Sequence, residues 1–141
     1  MSLIINKFLP KAKTAENDLI RYKVLRRYFD SDSLTEKYIP PLHYMNIEFG
    51  KEYHEYGDFK YTNGLFRHAI GEGAFHLFND FEEAKKYCEL SDDFIIVEAI
   101  IPAHTKYIEG VHYPTLDYNW KLSATATKAV KYTKILYGIF D

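Results

Sequence analysis

The sequence is poor in several features that define protein classes. It has a single cysteine, Cys88, in 141 residues, so no disulfide can form within the chain and a reducing compartment is expected. The longest apolar run near its middle, Phe94–Val97, stops at Glu98, far short of the roughly 18 residues of a membrane span. Residues 1–10 lack the basic start and the long apolar stretch of a secretory signal. These absences predict a cytoplasmic protein without a membrane span.

The chain also has no large excess of positive or of negative charge. Lys and Arg total 18 and Asp and Glu total 20, which gives a formal net charge of −2. A nearly neutral chain has no general attraction to nucleic acid or to a membrane surface. We therefore expect neither of them as a partner.

Aromatic residues are the class in excess, at 17% of the chain, with 13 Tyr, 10 Phe and 1 Trp. The length fits one domain with a core of its own. Residues 1–18 begin with an apolar segment, Leu3–Ile5, and end in a polar stretch. We therefore predict an N-terminal arm over 1–18 and a single domain over 19–141. The arm is expected to cover a sheet edge or a partner subunit, with disorder as the alternative.

Several segments have the pattern of β-strands. Apolar and polar residues alternate over Ile20–Arg27, which is typical of a half-buried strand. Phe94–Ile101 is apolar on both faces and is predicted to lie centrally in a sheet. Thr125–Tyr137 is rich in Thr, Val, Tyr and Ile and predicts a long strand, with a bulge as an option.

One helix is well signalled and a second is left open. Asn79 is a good N-cap, and Glu82 follows three residues later as a capping-box partner. A second, short helix could begin near Ser33 and would end before Pro40. The predicted fold class is therefore α+β, a mostly antiparallel sheet of five to seven strands with one or two short helices.

Motifs that carry catalysis or hold metals are absent from the sequence. It has no G-x-S-x-G, no phosphate-binding P-loop and no G-x-G-x-x-G. None of the six histidines shows a ligand spacing such as H-x-x-x-H. Cys88 falls on the apolar face of the helix and is predicted to be a buried, inert thiol. We predict no catalytic residues, no metal and no cofactor, and the balance is against an enzyme.

Residues Gly73–Tyr87, GAFHLFNDFEEAKKY, resemble the core of small uncharacterised proteins common in phage and large-virus genomes. Phe49–Tyr53 is similar to the "G-K-x-Y" segment of that family, and Thr127–Val130 to its "A-T-K-I" strand. The family normally has Gly directly before Phe-His, whereas Ala74 intervenes here. The resemblance implies a fold rather than an activity, and it implies a viral source and a host-cytoplasm location.

The order of elements also resembles, more loosely, ADP-ribosyltransferase-like domains. That resemblance implies a basic residue on the first strand for the phosphate of NAD, with His76 and nearby tyrosines beside it. The Ser-Thr-Ser position of such domains is occupied by Phe75–Phe78, and no Glu follows Glu109. It therefore implies a degenerate, nucleotide-binding relative. The candidate ligand-binding residues are Arg21, Arg26, His76, Tyr44 and Tyr53.

The sequence favours binding over catalysis. Tyrosines cluster in predicted loops, where they are typical of contact surfaces, although they could equally finish the outer core. His76 is either a structural residue within its strand or a ligand contact. We expect a small viral or phage-type protein that binds through protein–protein contacts, to another copy of itself or to a host factor. The alternative is the degenerate nucleotide-binding domain, with a nucleotide-type small molecule as its ligand.

Overall fold

The computed structural model describes residues 3–5, 12–40, 46–63, 68–70, 73–114 and 120–138. Within these residues the chain forms twelve strands and one helix, α1 (Phe81–Cys88). The strands are β1 (Leu3–Ile5), β2 (Lys13–Thr14), β3 (Leu19–Asp30), β4 (Thr35–Ile39), β5 (Glu52–His54), β6 (Tyr61–Asn63), β7 (His68–Ile70), β8 (Phe75–Phe78), β9 (Phe94–Ile101), β10 (Lys106–His112), β11 (Leu122–Thr127) and β12 (Ala129–Gly138).

All the strands belong to one antiparallel sheet. Its order is β5-β12-β9-β3-β8-β11-β10-β1-β7-β6, while β2 pairs with β10 and β4 pairs with β3. The predicted central strand is confirmed, because β9 lies between β12 and β3. The long strand predicted over Thr125–Tyr137 is two strands, β11 and β12, and β12 has register shifts after Tyr132.

The predicted α+β class is wrong, and the fold is mostly β. α1 has eight residues, and the second helix considered from Ser33 is instead β4, which pairs with β3 as a hairpin. The physical reason is local: the β-formers Thr35, Tyr38 and Ile39 gain a strand partner next to them in the chain. Within the described ranges, no helix is long and apolar enough to cross a membrane.

The sheet curls back on itself at Lys128. β11 and β12 are separated in the chain by this one residue, yet β9, β3 and β8 lie between them in the sheet. The backbone N–H of Lys128 donates to the carbonyl of Lys106 at 3.1 Å, and the N–H of Glu55 donates to the carbonyl of Lys128 at 2.9 Å. These bonds bring the end of β5 beside the start of β10.

The curled sheet has a core on each face. The inner core is built from alternate residues of β9 with their neighbours, and α1 covers a second group, the helix-side core. The inner core consists of Ala15, Leu25, Ile47, Leu77, Ile95, Val97, Ala99, Ile101, Val130 and Tyr132. The helix-side core consists of Val24, Phe78, Ala84, Cys88, Phe94, Ile96 and Leu122. β9 is therefore buried on both faces, as its composition predicts.

The start of α1 differs from the prediction by one residue. Asp80, not Asn79, is the N-cap, and its carboxylate accepts from the backbone N–H of Glu82 at 3.0 Å. The Asn79 side-chain oxygen instead accepts from the hydroxyl of Thr125. The following acidic residues lie where the helix dipole favours them.

The segment predicted as an arm contributes strands to the sheet. Leu3–Ile5 pairs with β7 and β10, and Lys13–Thr14 pairs with β10. Ala15 is buried in the inner core. The domain division at residue 18 stays a prediction.

Candidate functional site

The predicted ligand-binding residues do not form one cluster. Arg21 pairs across the sheet with Ala99 of the inner core, whereas Arg26 pairs with Phe94 of the helix-side core and places its guanidinium 5.7 Å from that ring. Cross-strand partners share a face, so the two arginines lie on opposite faces. Tyr44 lies outside the described residues.

Tyr53 and His76 are separated in the same way. Tyr53 packs against the inner core, with its ring 6.1 Å from that of Tyr132, and its hydroxyl accepts from the N–H of Glu48 at 2.9 Å. His76 is buried on the opposite face of β8 from Leu77, since it pairs with Ala126. The structure therefore gives Tyr53 a packing position and buries His76 away from it.

The Arg21 guanidinium is engaged by the protein itself. Its Nη1 donates to the carbonyl of Ile20 at 2.8 Å, and its Nε donates to the Thr125 hydroxyl at 3.3 Å. Its Nη2 lies 3.4 Å from Glu109 Oε1, and Lys13 Nζ lies 3.4 Å from the other oxygen of the same carboxylate. A phosphate at this point would have to displace Glu109.

Lys23 is the inner-face lysine next along β3. β3 and β8 pair at Tyr22 and Phe78. One residue further along β3, the Nζ of Lys23 donates to the carbonyl of His76 in β8 at 2.9 Å. Burial lowers the pKa of Lys23 to about 8. An amine with a lowered pKa loses its proton more readily than an ordinary lysine and can serve as a catalytic base. Here its N–H is directed at a backbone carbonyl, which gives Lys23 a structural role.

Neither a cluster of metal ligands nor a reactive thiol is found in the described parts of the chain. No group of three or more His, Cys, Asp or Glu there could hold a metal ion. Cys88 is buried in the helix-side core, as predicted. Burial raises the pKa of its thiol to about 11, so the thiolate that would act as a nucleophile is scarce.

The clearest exposed apolar feature is the end of the β3–β4 hairpin. β3 pairs with β9 as far as Arg26 and continues with β4 to Asp30. Beyond the main sheet the hairpin carries Tyr28, Phe29 and Leu34, which we call the hairpin tip. Phe29 is 62% exposed and Leu34 is 74% exposed.

Leu34 is unfavourable in two ways at once. Its φ of 56° lies in the left-handed region, which costs a non-glycine residue roughly 1–2 kcal/mol. Its apolar side chain is also left in water. Gly or Asn would relieve the backbone, and a polar residue would suit the solvent. Leu34 therefore lowers the stability of the free chain through both its backbone and its exposed side chain.

Sequence reasoning missed the hairpin tip. The strand predicted over Ile20–Arg27 is followed by two more β-formers, Tyr28 and Phe29, and the turn residues after Asp30 lead into β-formers from Thr35. That combination is a hairpin signal. The sequence leaves open whether the tyrosines form a contact surface or finish the outer core. Of the described tyrosines, Tyr28 and Tyr56 are exposed and the others are buried or half-buried.

The functional argument rests on the fold and on the surface of the chain. The phage and ADP-ribosyltransferase resemblances stay predictions from the sequence. Comparison with protein-family models, with curated proteins and with solved structures finds no match to this chain.

Proposed function

We propose that this chain is a non-catalytic binding protein and that its hairpin tip inserts into an apolar groove of a different protein. The observation that supports this most is Leu34, which is both exposed and held at positive φ. Phe29 lies on the adjoining strand and is the second exposed apolar side chain of the tip. Aromatic anchors of this kind dominate the energy of protein interfaces.

Two ion pairs join the strands of the hairpin next to the tip. Lys37 Nζ lies 3.0 Å from Asp30 Oδ2, and Arg27 Nε lies 4.0 Å from Glu36 Oε1. One ion pair therefore joins β3 to β4 before Phe29 in the chain, and the other joins them after it. The pairs also neutralise the charges that flank the apolar residues. A preorganised tip reduces the entropy lost on binding.

The shape of the tip favours a different protein over a second copy. The tip projects beyond the main sheet, so its partner has to supply a concave apolar surface. The large apolar clusters in the described part of this chain are buried in its own cores. A cytoplasmic location and a host-cell partner are part of the proposal, on the sequence arguments given above.

Capture experiments with matched variants test the proposal. Tagged wild-type chain, Phe29→Ser and Leu34→Ala are compared in lysate of the source cell, with Leu90→Ser as the control because Leu90 is 56% exposed and lies outside the hairpin. Burying one such side chain is worth about 1.5–3 kcal/mol, so each tip variant should bind roughly tenfold more weakly or worse. The control should retain the partner.

Two results would oppose the proposal. Equal loss of capture in all three variants would indicate general stickiness of exposed apolar residues. Self-association of the purified chain that Phe29→Ser abolishes, measured by sedimentation, would make a second copy the partner instead of a different protein.

A further inference from the structure

A cleft lies where the curled sheet brings β5 beside β10. It is formed by β5, by the turn after it, and by the turn between β9 and β10, with a volume of about 400 Å³. That volume falls within the range of small-molecule sites. The cleft is distinct from the hairpin tip and shares no residue with it.

One wall of the cleft is an aromatic platform. The rings of His54 and Tyr56 are stacked, with centroids 6.0 Å apart and planes at 14°. Glu52 Oε1 lies 3.0 Å from His54 Nε2 and holds that imidazole in place. Tyr56 is 87% exposed, so the chain leaves its ring open to solvent. An oriented, open ring of this kind is suited to stacking against another flat ring.

His104 also lines the cleft, and its backbone is strained. The N–H of Thr105 donates to the carbonyl of Pro102 at 3.3 Å, which makes His104 the third residue of a tight turn, and its φ is 71°. Glycine is the residue that suits this position. The turn is fixed from both sides, because the N–H of His104 donates to the Ala15 carbonyl at 2.7 Å and the N–H of Ala103 to Asp18 Oδ1 at 2.8 Å. An imidazole is thus held at the cleft against the local backbone preference.

The charges around the cleft nearly cancel. Two acidic residues, Glu52 and Glu55, and two basic residues, Lys106 and Lys128, line it. The Lys128 ammonium is also turned to backbone carbonyls, donating to Gly73 at 2.7 Å and to Asp58 at 3.2 Å. A charged ligand therefore finds little net attraction here, and a neutral one with hydrogen-bonding groups fits better.

We propose that this cleft binds a neutral, planar heteroaromatic ring. Tyr56 stacks on the face of the ring, and the His104 imidazole hydrogen-bonds its edge. This site is independent of the protein-binding function proposed for the hairpin tip, so either can fail alone.

Titration of the full chain with adenosine, followed by amide chemical shifts, tests the site. We expect saturable shifts at His54, Tyr56 and His104 below about 10 mM adenosine, and none with ribose alone. Tyr56→Ala should weaken binding about five- to hundredfold, which is the effect of losing one stacking partner, while Tyr56→Phe keeps it. Leu90→Ser, at an exposed residue outside both the cleft and the hairpin tip, is the control and should bind adenosine like the wild type.

His104→Gly separates a binding role from a structural one. Glycine relieves the backbone, so this variant should unfold at the same or a higher temperature than the wild type while binding adenosine more weakly. Three results would overturn the proposal: no shifts at the cleft, equal shifts with ribose, or affinity that neither Tyr56→Ala nor His104→Gly changes.

Discussion

Replacing Lys23 by Met should change the stability of the protein in a way that depends on pH. Lys23 faces the inner core, where burial lowers its pKa from 10.5 to about 8. The unfolded chain keeps the ordinary pKa, so between about pH 8 and 10.5 the unfolded state binds more protons and stability rises with pH. At pH 7 both states are protonated, and the folded protein bears the full penalty of burying the charge, about 3 kcal/mol.

Lys23→Met removes that penalty and also removes the hydrogen bond to the His76 carbonyl. Losing the bond costs about 1–2 kcal/mol. The variant should therefore be about 1–2 kcal/mol more stable than the wild type at pH 7 and about 1 kcal/mol less stable at pH 10.5. The order of stability reverses because at pH 10.5 Lys23 is neutral in the folded protein and half neutral in the unfolded chain, so most of the wild-type penalty is gone.

Urea unfolding of both proteins at the two pH values measures this reversal. The 13 tyrosines also ionise at high pH, but they affect wild type and variant alike. Their effect therefore cancels when the free energy of unfolding of one protein is subtracted from that of the other. Lys134→Met, on the exposed side of β12, is the control and should show no such reversal. A stability difference for Lys23→Met that is the same at pH 7 and pH 10.5 would refute the reasoning.

Three further outcomes follow from single side chains. Leu34→Gly should raise the free energy of unfolding by about 0.5–1 kcal/mol, seen as a rise of a few degrees in Tm, because it relieves the positive φ, whereas Leu34→Ala should not. The Cys88 thiol should react with a disulfide reagent at neutral pH only after urea is added, and fast reaction of the native protein would contradict its burial. Asp80→Ala should lower the free energy of unfolding by about 1 kcal/mol through loss of the N-cap, in thermal or urea unfolding, and a neutral result would count against Asp80 as the cap.

The sequence predicts the parts of the fold that have strong local periodicity. β9 is apolar on both faces, and the structure covers it on both. The helix is found within one residue of its predicted start, because acidic residues and a cap mark it locally. Each of these elements can be predicted from the pattern of its own residues and of those directly beside it in the chain.

The rest depends on partners that are distant in the chain. β1, β2 and β5 are two or three residues long and exist through pairing with β10 or β12, which no local pattern shows. The break at Lys128 likewise follows from the closure of the sheet rather than from its own residue type. Underestimating these strands produced the wrong α+β class.

The candidate sites show the same division. Arg21 and Arg26 are close in sequence, but an odd spacing on a strand sends them to opposite faces. The exposure of Leu34 and the strain at His104 are properties of the folded turns, so composition could not reveal them.

Photo-crosslinking from the hairpin tip tests the central claim most directly. A photoreactive phenylalanine analogue is placed at position 29 in one protein and at position 90 in another, and both are irradiated in lysate of the source cell. The account predicts one dominant crosslinked partner at position 29, a different protein, which is absent at position 90. Equal crosslinking from both positions, or none from position 29, would contradict it.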